Sequence, residues 1–163
     1  MRLYGITGWK NAGKTGLMER LVADFTRRGL RVSTVKHAHH GADVDQPGRD
    51  SDRHRTAGAG QVILASPARW ALMTELRGAE EPSLEALVAH LVPCDLILVE
   101  GFKSSAHPKL EAHRAATGME PLAAGNATIR AVASDAAPQV AVPLFDLDDT
   151  HGVAAFILRE VGL

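Results

Sequence analysis

Residues Gly8-Trp9-Lys10-Asn11-Ala12-Gly13-Lys14-Thr15 satisfy the pattern G-x-x-x-x-G-K-[ST], which places glycines, a lysine and a hydroxyl at the spacing a phosphate chain requires. Gly8 and Gly13 permit the backbone angles that turn several N–H groups toward one point. A helix starting at the end of the loop adds its partial positive charge there. On this reading Lys14 sets its ammonium against the β- and γ-phosphates of a bound nucleotide, and the Thr15 hydroxyl ligates Mg²⁺. Lys10 stands third in the motif and has two readings, a solvated loop lysine or an extra phosphate contact.

A nucleotide site of this kind needs a carboxylate at a neighbouring strand end to hold the metal directly or through water. Glu100 is the candidate, because the apolar run 96–99 precedes it and Gly101 follows it. The alternative for Glu100 is a solvated carboxylate at a strand exit. Asp95, at the other end of that run, reads as a polar strand start. Asp135 follows another strand candidate and has two readings, an acceptor for the amide and amine of a nucleobase or a solvated turn aspartate.

The segment 36–60 is almost devoid of apolar residues and carries His37, His39, His40, Asp43, Asp45, Arg49, Asp50, Asp52, Arg53, His54 and Arg55. A polar stretch this long inside a compact domain is usually functional. Three roles stay open for the histidines: structural or solvated groups, contacts to an anionic ligand, and ligands to a transition metal, although their spacing matches no zinc signature. Arg49, Arg53 and Arg55 either pair with the aspartates around them or recognise phosphate, whose oxygens a guanidinium fork matches.

These residues must be held by elements that the hydrophobic pattern outlines. The run 3–7 reads as a strand, and Leu17, Met18, Leu21, Val22 and Phe25 follow with helical spacing up to Gly29. The segment 30–36 (LRVSTVK) reads as a second strand, so strand, helix and strand form a parallel crossover unit. A helix is expected from about Asp50. The segments 61–66 and 69–76 read as two strands separated by Pro67, close enough to be antiparallel. Ser83 opens an amphipathic helix through Leu84, Leu87, Val88 and Leu91. The uninterrupted run 94–100 (CDLILVE) has the pattern of a central parallel strand covered on both faces. Further strands are expected at 107–113 and 129–134, with loop between them, and a closing helix carries Val153, Phe156, Ile157 and Val161 behind an N-cap at Asp149 or Thr150.

The chain has 163 residues, 45% hydrophobic and 23% charged, with a net charge of −1, a size and balance that fit one compact soluble α/β domain over 1–163. Near-neutral charge argues against a nucleic-acid surface or an anionic-membrane binder. A single cysteine, Cys94, excludes an internal disulfide framework and suits a reducing compartment. No apolar run approaches the length needed to span a bilayer and no signal-peptide core precedes the glycine-rich loop, so a cytoplasmic location is expected.

Six segments together resemble the molybdopterin-guanine dinucleotide biosynthesis adapter proteins, the MobB family: GWKNAGKT at 8–15, VKHAHH at 35–40, GRDSDRHRTAGA at 48–59, LILVEGFK at 96–103, PKLEAHR at 108–114 and AVASD at 131–135. The resemblance implies a P-loop fold, with a mostly parallel central sheet between helices in three layers. It implies a GTP-binding protein, commonly a homodimer, with at most weak GTPase activity. Such a protein would assist the guanylyltransferase that joins GMP to molybdopterin, and the resemblance makes guanine the base that Asp135 would meet and a pterin the ligand that His37, His39 and His40 would contact. Two departures stand out. Gly16 occupies a position where similar proteins often carry a hydroxyl residue, and no N-K-x-D guanine motif is present, so the guanine preference rests on the resemblance alone. The rival reading is a P-loop small-molecule kinase that holds its substrate on the 37–60 segment, with Asp43 or Asp45 as general base.

Overall fold

A computed structural model describes residues 1–38 and 44–163. His39, His40 and Asp43 lie outside the described residues. The chain packs into two compact units, Met1–His37 with Leu84–Leu163, and Ala38–Ser83, the second entering the sequence between a strand and a helix of the first.

The first unit is built on a sheet of six strands, all pairing in parallel: β1 (Arg2–Thr7), β2 (Val32–Lys36), β5 (Leu96–Glu100), β6 (Lys109–His113), β7 (Ile129–Ser134) and β8 (Leu144–Asp146). Their order across the sheet is β2-β5-β1-β6-β7-β8, which places the strand before the phosphate loop between the strand that ends at Glu100 and the strand that ends at His113. In an open parallel sheet the crevice beyond the C-terminal strand ends is where ligands bind.

Alternation along the strands divides the core. Tyr4, Ile6, Leu96, Leu98, Leu110 and Ala112 face α1 (Lys14–Arg27) and α4 (Thr150–Val161), whose Leu17, Leu21, Phe25, Val153 and Ile157 are buried against them. On the opposite face Ile97 and Val99 pack with Leu84 and Val88 of the short α3 (Leu84–Val88). Burial on both faces accounts for the uninterrupted apolar sequence of β5, whose five residues are all buried. α1 stops at the cap expected, where Gly29 takes φ 85° and its N–H donates to Thr26 O. Asp149 caps α4, its carboxylate accepting from the Gly152 N–H at 2.9 Å.

β6 shows why a polar strand can be central. Lys109, Glu111 and His113 alternate onto one face, all buried, and each pins a loop. The Lys109 ammonium donates to the Ser105 and His107 carbonyls and to Thr128 Oγ1, and the Glu111 carboxylate accepts the N–H groups of Leu122 and Ala123. His113 Nδ1 meets Ser134 Oγ at 2.8 Å. Satisfied partners make such burial tolerable.

In the second unit α2 (Asp50–Thr56) begins where the charges predicted a helix, and β3 (Gln61–Ala65) pairs antiparallel with β4 (Trp70–Thr74) as expected. Several bounds expected from the sequence need correction: the segment 94–100 is strand only over Leu96–Glu100, and the segment 69–76 only over Trp70–Thr74. The segment 30–36 becomes strand only at Val32, because the Leu30 N–H still donates to Phe25 O and closes the α1 cap. The segment 107–113 becomes strand only at Lys109, since the loop before it wraps around the Lys109 ammonium. The helix expected through Leu91 ends at Val88, after which His90 and Leu91 donate to carbonyls three residues back and the chain continues as tight turns. β8, with three residues, is too short to leave a periodic signal, and the loop expected between β6 and β7 holds two 3₁₀ turns, Ala115–Thr117 and Leu122–Gly125.

Candidate functional site

The phosphate loop leaves β1 and enters α1 through backbone angles its glycines supply. Gly8 has φ 139°, and a Cβ there would collide with the Ala112 carbonyl oxygen on β6. Gly13 has φ 91° and is the N-cap of α1 with no side chain of its own, which leaves the first helical N–H groups open to an anion. Asn11 also takes a left-handed conformation, φ 63°, one that asparagine tolerates better than most residues.

Inside the loop, Lys14 Nζ donates to the Trp9 carbonyl at 2.6 Å. Burial lowers the Lys14 pKa; Glu100 opposes that shift, and Lys103 and Lys36 reinforce it. Glu100 is only 9% exposed, so the solvated-carboxylate alternative does not describe it. Its Oε2 lies 3.5 Å from Lys36 Nζ on the neighbouring strand. The Trp9 indole donates to the Glu120 carbonyl at 2.9 Å, and the Lys103 ammonium sits 4.9 Å from the centre of its ring.

Asn11, Ala12, Gly13, Lys14, Thr15 and Glu100 line one cleft of about 340 Å³. Of the sequence-predicted loop residues, Gly8, Trp9 and the exposed Lys10 are not among those that line it. A hydroxyl and a buried carboxylate lining one cleft at a helix N-terminus form a hard-oxygen donor set that suits Mg²⁺ held with phosphates rather than in an all-protein cage.

Arg20, Arg114 and Leu147 also line the cleft and were missed by the sequence reading. Arg20 left no motif signal. Arg114 closes the 108–114 segment but carries no spacing that relates it to the loop.

The other predicted positions fall elsewhere. Asp135 is exposed just past β7, and one of its carboxylate oxygens accepts the Ala115 N–H at 2.9 Å. Asp95 is hydrogen-bonded and ion-paired to Arg31 at 2.9 Å, which pulls its carboxyl down to about 2, so it is a structural residue just ahead of β5 rather than a ligand. His37 follows β2, where its ring stacks 4.7 Å from Phe102. Gly101 keeps that approach possible, because a Cβ at its φ of 95° would lie 2.9 Å from the His37 Cβ.

In the second unit Arg55 meets Asp45 at 3.1 Å, Asp52 at 3.2 Å and Glu75 at 2.7 Å, the ion-paired alternative for that residue. Asp45 also accepts from Ser51 Oγ and the Gln46 N–H, and these bonds with Arg55 hold its carboxyl below the usual range. So engaged, it is poorly placed for the general base that the kinase reading required; Asp43 lies outside the described residues. Arg49 reaches Gln46 Oε1 at 3.3 Å, and Arg53 lines an open cleft with Asp50, Asp52 and His54. Among the described residues no group of three or more His, Cys, Asp or Glu side chains could hold a metal ion, and no helix is long and apolar enough to cross a membrane.

Comparison with known proteins adds a second line of observation. The sequence profile of the family described as "MobB: Molybdopterin guanine dinucleotide synthesis protein B" matches residues 3–135. A molybdopterin-guanine dinucleotide biosynthesis adapter protein of Escherichia coli (strain K12) is 42% identical over 161 residues, covering 96% of this chain and 91% of that one. The protein of the same description from Haemophilus influenzae is 40% identical over 157 residues, covering 95% and 86%. The crystal structure of a MobB protein homolog from Bacillus stearothermophilus superposes with a TM-score of 0.73 at 29% identity, covering 99% of each chain.

Proposed function

The chain belongs to the molybdopterin guanine dinucleotide synthesis protein B (MobB) family, and from that premise we propose that it is a GTP-binding adapter in molybdopterin guanine dinucleotide biosynthesis. The observation that carries the nucleotide reading is the shared cleft of Lys14, Thr15 and Glu100, from the phosphate loop and the adjacent strand. The loop and Lys14 hold the phosphates, and Thr15 and Glu100 hold Mg²⁺, whose role is to neutralise charge on the outer phosphate oxygens. Asp135 is the acceptor for the guanine edge, at the far end of the crevice from Glu100. Turnover is at most a weak GTPase activity, since the function needs binding surfaces rather than a general base.

The partner is the guanylyltransferase that joins GMP to molybdopterin, in the cytoplasm. His37 and Arg53 remain the described candidates for pterin or phosphate contact; Arg49 joins them, while Arg55 serves the fold. Residues 1–163 act as one nucleotide-binding domain in which Ala38–Ser83 is an insertion.

The protein works as a homodimer. Supporting this, the two-stranded β3–β4 sheet exposes Ile63 (64%), Leu64 (55%), Trp70 (66%) and Leu72 (38%), and a hairpin with so little of its own core is stabilised by a second copy. Sedimentation at micromolar concentration is expected to give the dimer mass; the monomer mass would refute this assembly.

Isothermal titration with GTP and ATP, with and without Mg²⁺, tests the nucleotide reading. GTP is expected to bind more tightly than ATP, and Mg²⁺ to strengthen that binding. Absence of binding under all four conditions would overturn it.

A further inference from the structure

Two arginines line the phosphate cleft, and they differ in their commitments. Arg20 donates through Nε to Thr150 Oγ1 at 2.9 Å and through a terminal nitrogen to the Leu147 carbonyl at 2.7 Å, so its guanidinium ties α1 to the turn before α4. Arg114 is exposed, and among the described residues no hydrogen bond or ion pair engages its guanidinium. Its position is nonetheless fixed from two sides. The residue continues β6 in extended conformation, φ −131° and ψ 129°, directly after the pinned His113. Its Nε lies 3.0 Å from where a Cβ on Gly13 would stand, and its Cζ 3.6 Å from that point. The guanidinium therefore occupies the space that the missing side chain of the α1 N-cap leaves above the loop.

We propose that Arg114 is a second cationic contact of this cleft, meeting the inner phosphates of a bound nucleoside di- or triphosphate on the side of the loop opposite Glu100. The proposal rests on the nucleotide-binding reading and extends it. The strand order β5-β1-β6 puts Glu100 and Arg114 on strands that flank β1 on opposite sides. Glu100 and Thr15 mark the metal side, where outer phosphate oxygens belong, and next to Glu100 on that side stand the Lys36 ammonium at 3.5 Å and the His37–Phe102 ring pair. The rest of the nucleotide leaves over β6, where Gly13, Arg114 and Leu147 form the wall. A planar guanidinium without a protein partner, beside helix N–H groups, is matched to phosphate oxygens in geometry and charge.

The test is titration of the parent chain and the Arg114→Ala, Arg114→Lys, Arg114→Met and Lys14→Ala variants with GTP and GDP, with and without Mg²⁺, alongside thermal melting. Arg114→Ala is expected to weaken GTP and GDP alike by about tenfold or more, in line with loss of a charge-assisted hydrogen bond. The increment from Mg²⁺ and the melting temperature should stay unchanged, and Arg114→Lys should recover part of the loss. If Arg114→Ala binds both as the parent does while Lys14→Ala does not, the proposal falls and the nucleotide reading stands. A loss confined to GTP overturns the inner-phosphate assignment. If the parent binds neither nucleotide, the site reading itself fails. Should Arg114→Ala melt early, Arg114→Met decides, because it keeps the apolar stem and removes the charge, and a folded methionine variant with unaltered affinity for both nucleotides rejects the proposal.

Discussion

The ammonium of Lys14 lies 2.6 Å from the carbonyl oxygen of Trp9, so the lysine is held by the loop it serves. An ammonium has three donors, and this bond uses one. The side chain is thereby aimed, with two donors left for phosphate oxygens, and a bound phosphate meets a lysine that needs little further ordering. Lys14→Ala should reduce triphosphate affinity by at least about tenfold to a hundredfold, the range for charge-assisted hydrogen bonds. Titration calorimetry checks this, and circular dichroism should show an unchanged fold.

On the proposed reading Glu100 serves the metal rather than the phosphates. Glu100→Gln keeps the shape of the buried side chain and removes its charge, so it should weaken binding with Mg²⁺ more than binding without it. Paired titrations in Mg²⁺ and in chelator read the difference. An equal loss in both would place Glu100 outside the metal site.

Two loop glycines give opposite expectations. Gly8→Ala drives a Cβ into the Ala112 carbonyl at φ 139° and should cost roughly 1–3 kcal/mol of stability. Gly16 is helical, and the nearest atom to a Cβ there is a terminal nitrogen of Arg20 at 3.6 Å, an ordinary contact distance. Gly16→Ala should raise stability by about 0.5–1 kcal/mol, the helix cost of glycine. Denaturant unfolding of both variants measures the two signs.

Much of this arrangement is legible in the sequence. The loop, the strand that aims Glu100 and the α4 cap all follow from local rules, because glycine angles, apolar runs and side-chain caps act within a few residues. The roles of Lys109, Glu111 and His113 are not legible in that way. Their alternation marks one face of a strand, but only the fold reveals that loops 105–107 and 119–128 supply the partners that let them be buried. Arg114 was hidden for the same reason, since its proximity to Gly13 is created by the pairing of β1 with β6.

His107 gives the molecule an acid-sensitive point. Burial, helped by the nearby Lys109 and opposed by Glu85, lowers its pKa from 6.5 to about 4. Between those values the unfolded chain holds the proton and the folded chain does not. Stability should therefore fall as pH drops from 6.5 toward 4 and lose no more from this group below that. His107→Leu removes the titrating ring, and its melting temperature should vary less across the same window. A parallel decline in both proteins would place the acid sensitivity elsewhere.

Arg53 and Arg55, two residues apart on α2, stand in different surroundings. Arg55 is the centre of a clamp in which three carboxylates, Asp45, Asp52 and Glu75, converge on one guanidinium, and it ties the chain before α2 and the end of the hairpin to the helix. α2 has seven residues and only Ser51 buried, too short to persist in water on its own, so the clamp supplies much of what holds it. Arg53 faces the open cleft beside Asp50 and His54. Arg55→Ala should therefore speed amide hydrogen exchange across 50–56 by about tenfold or more, as local opening becomes easier. Arg53→Ala should leave that exchange unchanged and instead impair support of dinucleotide synthesis in a reaction reconstituted with the guanylyltransferase. If Arg53→Ala loosens the helix as much as Arg55→Ala does, its effect on synthesis is structural, and the assignment of Arg53 to ligand or partner contact is wrong.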